Sequence, residues 1–331
     1  MKKLIMAAAT IIIIASCNAN YEKTPSGILY KITPGKPGGA KLNVGQFVKI
    51  DVQYTIHKNN KDSVLNTTNG RIPSYAPVDT GAKYKYSFVE LLPKCSVGDE
   101  VEFVLSVDTL KKSGAIPNYT KDFAAGDMIH GKMKILKAFN SEQEIMADYQ
   151  KESDAEKTRE TTDLENYLSK KGIKAERSPN GVFIVVQNAG DLTNKVDSGK
   201  QVSIMYKGYF ENTNKVFDTN MDTSKGHTAP IQLVIGQHQS LPGWEEGLKY
   251  FGKGGKGTIY IPAMMAYGPQ GRGPEMPPYS NLIFDIEVKD VTVAPKQSPQ
   301  QNPYGNLTPQ QMQQLQQEMQ RQQQQKDSTH H

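Results

Sequence analysis

An internal repeat constrains the fold of this chain more than any other feature, because separate stretches of its first half recur in its second half. Four pairs of stretches align: GQFVKI (45–50) with GKQVSI (199–204), GILY (27–30) with GVFI (181–184), residues 91–105 with residues 248–262, and DMIHG (127–131) with LIFDI (282–286). The third pair aligns without a gap and superposes Gly98 on Gly255. The chain is therefore predicted to contain two copies of one fold.

Each copy is predicted to consist mainly of β-strands. Residues 27–32, 47–52 and 101–105 alternate apolar and polar side chains, which is typical of a strand with one buried face. Clusters of proline and glycine separate these stretches. The repeat then assigns one β-rich domain to residues 21–140 (domain one) and a second to residues 173–294 (domain two).

A charged segment over residues 141–172 lies between the two domains. Ser141 and Glu144 form a capping-box pattern, and no glycine or proline follows until Gly172. We expect one long helix or two short ones as a linker here. The middle of the segment, residues 150–163, is polar on all sides and is predicted to be exposed or frayed.

The first 17 residues, MKKLIMAAATIIIIASC, indicate a signal peptide. Two lysines precede a mainly apolar stretch that is shorter than the roughly 20 helical residues needed to span a bilayer. The end of the stretch resembles the bacterial lipobox, which implies lipidation of Cys17 after cleavage; an ordinary secretory signal with an incidental cysteine is the alternative. Asn18 favours the outer membrane over the inner one. The protein is therefore expected to be exported and lipid-anchored to the bacterial cell envelope.

Charge and cysteine content exclude further classes. The net charge of +5 becomes 5 − 2 = +3 without Lys2 and Lys3, and no basic run with interleaved aromatic residues occurs, so nucleic acid is not an expected partner. With Cys17 lipidated, Cys95 has no cysteine to pair with and is expected to be a small buried apolar side chain. Residues 295–331 form a Gln-rich, low-complexity tail that cannot bury a core.

The stretch GKGGKG at 252–257 formally fits the G-x-G-x-x-G pattern of a dinucleotide-binding loop. Such a loop follows a strand and opens a helix, whose N-terminus faces the phosphate. Here a short helix is predicted before the glycines and a strand after them. The stretch is therefore interpreted as a turn, and no metal or other cofactor is expected.

Residues 199–290 resemble the FKBP-type peptidyl-prolyl cis/trans isomerase domain. Four motifs carry the resemblance in the family's order: VSIMYKGYFENTNKVFDTN (202–220), IQLVIGQHQSLPGWEEGLKYFGKGG (231–255), IPAMMAYGPQGRG (261–273) and MPPYSNLIFDIEV (276–288). The resemblance implies an α+β fold of two FKBP-like domains, each a bent antiparallel β-sheet wrapped around a short helix, joined by a helical linker. It is strong for domain two and weak for domain one.

The resemblance also implies a pocket for a proline ring. Trp244 would form its floor, Asp218 would be its carboxylate, and Tyr267 would donate a phenol hydrogen bond to a substrate carbonyl. The other implied contacts are the wall residues Tyr206, Phe217 and Ile231, the deeper Phe284, and Leu241 with its backbone N–H.

These residue types suit rotation of an X-Pro bond. The planar amide must lose its resonance at a barrier of roughly 18–20 kcal/mol. The twisted amide is less polar than the planar one, so an apolar aromatic pocket favours it more than water does. Three departures from the family's pattern, at Ile231, Arg272 and Glu275, are expected to affect substrate range and the binding of a macrolide inhibitor more than basic activity.

Domain one lacks the implied pocket residues. The alignment places Ser87 opposite Trp244 and Val52 opposite Tyr206, and it replaces the Phe-Asp pair within residues 62–66. Domain one is therefore predicted not to isomerise proline bonds. Three roles stay open for it: binding clients, dimerising, or spacing domain two from the membrane.

The sequence thus predicts a membrane-anchored peptidyl-prolyl cis/trans isomerase that assists the folding of exported proteins with proline-containing segments. The alternative is a periplasmic chaperone that binds proline segments with little catalytic activity. A third hypothesis, an envelope assembly or adhesion factor acting through the Gln-rich tail, has only composition in its favour. The sequence specifies neither the clients nor the oligomeric state.

Overall fold

The computed structural model describes residues 21–58, 61–273 and 275–294. The chain divides into two compact units, residues 1–162 and 163–331, so the division falls inside the charged segment. The signal peptide, its Cys17 and the Gln-rich tail lie outside the described residues.

Domain one is built on a seven-stranded sheet whose neighbouring strands are all antiparallel. The strands are β1 (Glu22–Lys23), β2 (Leu29–Thr33), β3 (Phe47–Lys58), β4 (Lys61–Thr67), β5 (Ser74–Pro77), β6 (Glu100–Ser106) and β7 (Met128–Phe139). Their order across the sheet is β1-β2-β6-β7-β3-β4, and β5 pairs with β3. Short 3₁₀ turns at Ala82–Tyr84 and Phe88–Lys94 and helix α1 (Val107–Lys112) complete the domain.

A single helix, α2 (Glu142–Lys171), occupies the segment for which one long helix or two short ones were expected. Ser141 Oγ accepts a hydrogen bond from Glu144 N, and Glu144 Oε2 accepts one from Asn140 N, as in a capping box. The helix ends at Gly172, whose φ of +67° is the left-handed conformation that glycine adopts at helix ends. No helix among the described residues is long and apolar enough to span a membrane.

The prediction that the middle of α2 is exposed or frayed is only partly right, because the helix is continuous there and one of its faces is buried, although most residues of 150–163 are exposed. Ser153, Glu156, Glu160 and Thr161 are all buried. Arg71 explains part of this burial, because its guanidinium lies 2.9 Å from the Glu156 carboxylate and a buried carboxylate needs a charged or hydrogen-bonding partner. At Glu156 this polar face makes ionic contacts, with Arg71 and Arg159.

Domain two repeats the architecture. Its seven-stranded antiparallel sheet consists of β8 (Glu176–Arg177), β9 (Phe183–Asn188), β11 (Lys200–Phe210), β12 (Val216–Thr219), β13 (Ile231–Val234), β15 (Lys256–Ile261) and β16 (Leu282–Val293). A separate pair is formed by β10 (Asp191–Lys195) and β14 (Gly252–Lys253). The helical elements are α3 (Pro242–Leu248) and 3₁₀ turns at Thr223–Lys225, Ala263–Met265 and Gly268–Gln270.

The two sheets have the same topology. The order β12-β11-β16-β15-β9-β8 in domain two is the order of domain one read from its other edge, and β13 pairs with β11 as β5 pairs with β3. Both central pairs also shift register at the same point, after Lys49 in β3 and after Ser203 in β11. The prediction of two copies of one antiparallel fold is therefore confirmed.

Each sheet covers a short helical segment with its apolar face. In domain two, α3 buries Trp244 and Leu248 against the sheet. In domain one, the 3₁₀ turn Phe88–Lys94 buries Leu91 and Leu92. Cys95 follows that turn and is fully buried, as expected, and burial raises the pKa of its thiol to about 12.

Backbone hydrogen bonds correct the alignment of the two copies by one residue. Gly98 N donates to Ile135 O in domain one, and Gly254 N donates to Val288 O in domain two. Gly98 therefore corresponds to Gly254 and not to Gly255. The glycines had suggested the wrong partner because two of them stand side by side in domain two.

The same shift applies to the helices that precede these turns. Equivalent hydrogen bonds close the two helix ends, from Cys95 N to Leu92 O and from Phe251 N to Leu248 O. Counting back from them, Phe88 and not Ser87 corresponds to Trp244. An aromatic residue is therefore retained in domain one, although a smaller one.

Candidate active site

Helix α3 lies unusually close to strand β15, and its glycines explain why. A Cβ atom at Gly243 would come within 2.3 Å of Ile261 Cγ2, and one at Gly247 within 2.5 Å of Ile259 Cγ2. The two glycines are four residues apart and share one face of the helix. Because this face carries no side chains, the helix can rest on the sheet and hold Trp244 with only 4% of its surface exposed.

Pro242 fixes where this helix begins. It occupies the first turn, where a missing N–H costs nothing. Leu241 before it is extended, with φ −62° and ψ 136°, and its carbonyl accepts the N–H groups of Trp244 and Glu245. The side chain of Leu241 is half-buried against the domain core.

An aromatic cluster surrounds the indole of Trp244. Its ring centroid lies 5.2 Å from that of Tyr206 and 5.0 Å from that of Phe284, both in edge-to-face contact. Phe217 continues the cluster at 5.6 Å from Phe284. Such contacts are favourable for aromatic rings and hold each ring in one orientation.

Gly208 makes room for this cluster. It faces Phe284 across the β11–β16 pair. A Cβ atom at Gly208 would lie 2.6 Å from Phe217 Cζ and 2.8 Å from Phe284 Cε1. Any side chain at this position would therefore displace one or both rings.

The carboxylate of Asp218 lies at the edge of the cluster, where β12 places it directly after Phe217. Its Oδ2 accepts a hydrogen bond from the Tyr206 hydroxyl at 2.5 Å, and its Oδ1 lies 2.9 Å from His227 Nε2. Partial burial opposes ionisation of Asp218, but these hydrogen bonds outweigh burial and hold its pKa below the ordinary value. Burial and the adjacent carboxylate raise the pKa of Tyr206, which therefore remains a donor.

Tyr267 lies at the rim beside Arg272. The Arg272 guanidinium is 5.8 Å from the Tyr267 ring centroid, and its Nη1 lies 3.3 Å from the phenol oxygen. Glu275 points elsewhere, since its carboxylate pairs with exposed Lys215 at 3.4 Å. Arg272 is thus the departure from the family's pattern that touches a predicted site residue.

The structure places all eight predicted pocket residues in or against the core of domain two. Tyr206, Trp244 and Phe284 belong to the buried core of domain two, and Phe217, Ile231, Leu241 and Tyr267 pack against it half-buried; Asp218 joins them through Tyr206. Sequence reasoning missed His227, because it lies in an irregular segment that matches no motif. The roles of these residues stay predictions.

Other kinds of site find little support in domain two. Among the described residues, no group of three or more histidine, cysteine or acidic side chains could hold a metal ion. Gly252 and Lys253 form strand β14, and Gly254 and Gly255 connect it to β15, so no helix follows these glycines as a dinucleotide-binding loop would require. A cleft of about 650 Å³ borders α3, but its lining, which includes Pro179, His238 and Lys249, shares no residue with the aromatic cluster.

Residues 193–289 match the family model described as FKBP-type peptidyl-prolyl cis-trans isomerase. A protein named "FK506-binding protein" from Neisseria meningitidis serogroup A is 37% identical over 93 residues, which are 28% of this chain and 81% of that relative. The chain belongs to the FKBP-type peptidyl-prolyl cis-trans isomerase family.

Two further FKBP-type comparisons extend over more of the chain. A probable FKBP-type peptidyl-prolyl cis-trans isomerase of Haemophilus influenzae is 35% identical over 140 residues, covering 42% of this chain and 55% of the relative. The crystal structure of FkpA from Escherichia coli is 29% identical and aligns with a TM-score of 0.36, covering 46% of this chain and 69% of that chain. Family membership makes this protein a peptidyl-prolyl cis-trans isomerase.

The FKBP pocket residues can be followed into domain one through the strand register. Val52 occupies the position of Tyr206, as the alignment predicted. Leu65 and Asn66 replace Phe217 and Asp218, because Asn66 pairs with Tyr54 where Asp218 pairs with Gly208; the replaced pair thus lies at the end of residues 62–66.

The position of Phe284 in domain one is Gly131, which corrects the alignment of 127–131 by two residues. Tyr54 faces Gly131 in the β3–β7 pair, where Gly208 faces Phe284 in domain two. A Cβ atom at Gly131 would lie 2.1 Å from the ring of Phe103. Domain one therefore lacks the predicted pocket residues, and other aromatic rings occupy the corresponding space.

Proposed function

We propose that domain two of this FKBP-type isomerase rotates X-Pro bonds in exported proteins and so assists their folding, while a lipid on Cys17 anchors the chain to the cell envelope. The observation that carries the proposal is the Tyr206–Asp218 hydrogen bond at the edge of the Trp244–Phe284 cluster. A polar pair beside an apolar aromatic floor is what an enzyme needs if it is to bind a proline ring and a twisted amide together.

The proline ring of the client would lie against Trp244. Phe217 and Phe284 would exclude water from the amide, so the twisted and less polar state is favoured relative to solution. The Tyr267 phenol would donate to a client carbonyl and hold the chain while the amide turns. Leu241 N–H, which lies outside the hydrogen-bond ladder of α3, would donate to a second carbonyl.

The decisive experiment is a proline-peptide isomerisation assay on the chain without residues 1–20. Wild-type protein should accelerate rotation, and the double variant Asp218→Ala/Trp244→Ala should not. Ser198→Ala, a substitution at an exposed position of the same domain, should have the wild-type rate and serves as the control. Equal rates for wild type and double variant would reject the enzyme in favour of the alternative, a proline-segment-binding chaperone, which then should still suppress aggregation of a client.

A macrolide of the kind that the Neisseria relative is named for should compete for the same pocket. We propose that it binds domain two with Trp244 as its contact. Because Trp244 is the single tryptophan of the chain, its fluorescence should change on titration. The Arg272→Ala variant should alter the affinity if Arg272 narrows the rim.

Anchoring is supported by residues 1–17 alone. The lipid should be detectable as a mass increase on the mature N-terminal cysteine and should bring the protein into the detergent phase. A Cys17→Ser variant should remain in the aqueous phase. Export without lipid would favour the ordinary secretory signal instead.

A further inference from the structure

We infer that His227 is a positioning residue of this isomerase: its imidazole holds the Asp218 carboxylate toward Tyr206 and makes the rate depend on pH. The inference rests on the proposed function of domain two. It assigns a task to a residue that no motif of the sequence marks.

The contact uses the two oxygens of Asp218 separately. Oδ2 receives the Tyr206 hydroxyl, whereas Oδ1 faces His227 Nε2 at 2.9 Å and the backbone N of Thr219 at 2.9 Å. His227 also lies over the site itself, with its ring centroid 6.4 Å from that of Tyr206. Rotation of the carboxylate would break both side-chain contacts at once.

The chain around His227 is built to hold it there. Asp222 Oδ1 caps the 3₁₀ turn Thr223–Lys225 by accepting the Ser224 N–H, and Gly226 with φ +79° reverses the chain behind that turn. On the other side, fully buried Asn220 donates to Ala229 O at 3.0 Å. Hydrogen bonds therefore restrain the chain on both sides of His227 and hold the residue near Asp218.

The titratable groups in contact with His227 come from two elements, Asp218 on β12 and Tyr206 on β11. Of the other charged groups of the site, Arg272 lies beside Tyr267 after β15, and Asp222 and Lys225 are exposed on the segment of His227 itself. Asp218 is a carboxylate at neutral pH because its pKa is lowered, and Tyr206 stays protonated because its pKa is raised. Histidine is the side chain whose charge ordinarily changes between about pH 5 and 8.

Protonation of the imidazole turns the contact into a charge-assisted hydrogen bond, which is shorter and stronger than a neutral one. A carboxylate held more firmly in this way keeps the Tyr206 hydroxyl, and with it the wall of the proposed pocket, in place for the twisted state. Isomerisation should therefore be faster when the imidazole is protonated than when it is neutral.

The test measures kcat/KM by NMR exchange of a proline peptide across about pH 5 to 8, which avoids a coupling protease. The kcat/KM of the wild type should fall roughly threefold as the pH rises, which corresponds to the free energy of a half-exposed ion pair. His227→Arg, a permanent cation, should stay fast and flat, and His227→Gln, a neutral donor, should stay slow and flat. His238→Gln, an exposed histidine of the same domain, should keep the wild-type slope.

A second measurement separates this inference from the proposed function. The carboxyl carbon of Asp218 should shift with pH in step with the His227 ring in wild type, and that step should vanish in His227→Gln, whether or not the protein is active. A flat wild-type rate profile, or an Asp218 signal that ignores His227, would overturn the inference. Coupled signals without any catalysis would leave the contact in place and reject the isomerase instead.

Discussion

Domains one and two share a strand order, and an exchange of one pair of residues in the middle of the sheet sets their interiors apart. Gly208 faces Phe284 in domain two, whereas Tyr54 faces Gly131 in domain one. The ring and the glycine have exchanged strands. Each glycine is required by the rings next to it, because a Cβ atom at either position would overlap an aromatic side chain.

The exchange decides what fills the interior. In domain two the ring of Phe284 lies beside Trp244. Gly208, which faces Phe284 on the neighbouring strand, has no side chain to occupy this space. In domain one Tyr54 occupies that position and packs edge-to-face on Phe103 at 5.8 Å. Burial raises the pKa of the Tyr54 phenol to about 12. The strand that carries the ring therefore decides which rings fill the interior of each sheet.

Replacing Gly208 by tyrosine, the residue at the corresponding position of domain one, should have the largest effect on activity. Gly208→Tyr forces Phe217 and Phe284 out of place, and we expect isomerase activity to fall on the order of a hundredfold with about 1–3 kcal/mol of stability lost to overpacking. Peptide isomerisation and denaturant unfolding followed by Trp244 fluorescence measure the two effects.

The double variant Gly208→Tyr/Phe284→Gly is the matched control for that prediction. It restores the exchange found in domain one and should recover part of the stability but none of the activity. If Gly208→Tyr alone were fully active, the empty position at Gly208 would have no part in the site.

The two ends of α2 also differ, because the contacts of one are ionic and those of the other are apolar. Lys49 pairs with Asp148 at 2.8 Å in domain one, whereas Leu164 and Leu168 pack against Phe183 in domain two. Burial alone would raise the pKa of Asp148, but hydrogen bonds from Lys49, Tyr75 and Lys137 outweigh it and lower the pKa from 3.8 to about 2.

Acid should therefore release the first end of α2 before the second. A lowered folded-state pKa gives stability that is present above the ordinary pKa of 3.8 and lost as the pH falls through about 2. We expect Asp148→Asn to cost roughly 2 kcal/mol near neutral pH. Hydrogen exchange of α2 measures this loss of stability. The control is Asp154→Asn, which removes one partner of an exposed ion pair on the same helix and should change the stability little.

Much of the difference between the two domains could be predicted from the sequence. The rest could not, and the reasons are physical. Alternation along residues 47–52 and 101–105 identified strands, because one face of each is buried. The exchange of Tyr54 and Gly131 was missed, since the alignment paired DMIHG with the wrong residues of β16. Only the hydrogen-bond register settles such a shift, because β-strand patterns repeat every two residues.

Burial of polar groups was the second limit. Glu156 lies in a polar stretch that looks exposed, but Arg71, 85 positions earlier, and Arg159 both pair with it in the structure. His227 was missed similarly, because its contact with Asp218 depends on a local turn and not on a motif. Long-range ionic contacts leave no periodic signal in a sequence.

Changing the carboxylate of domain two to the residue of domain one should have a smaller effect. Asp218→Asn mimics Asn66 and keeps the shape of the side chain while removing its charge. We expect kcat/KM to fall about tenfold, equal to ~1.4 kcal/mol of differential stabilisation. The pKa of Tyr206 should decrease but stay above its ordinary value, because burial raises it as well.

Ultraviolet titration of the tyrosines and the isomerase assay test this pair of effects. Asp197→Asn, which alters an exposed carboxylate of domain two outside the segment of Asp218 and His227, provides the control. An unchanged rate in Asp218→Asn would mean that the carboxylate serves the shape of the pocket and not its charge.

The smallest expected effect comes from the reverse graft. Val52→Tyr/Asn66→Asp rebuilds the hydroxyl–carboxylate pair in domain one, and we expect no gain in activity when domain two is silenced by Asp218→Ala/Trp244→Ala. Tyr54 still fills the position that Gly208 leaves empty, so no space exists for a proline ring. A measurable rate in this variant would show that the polar pair suffices and that the exchanged ring is not what separates the two domains.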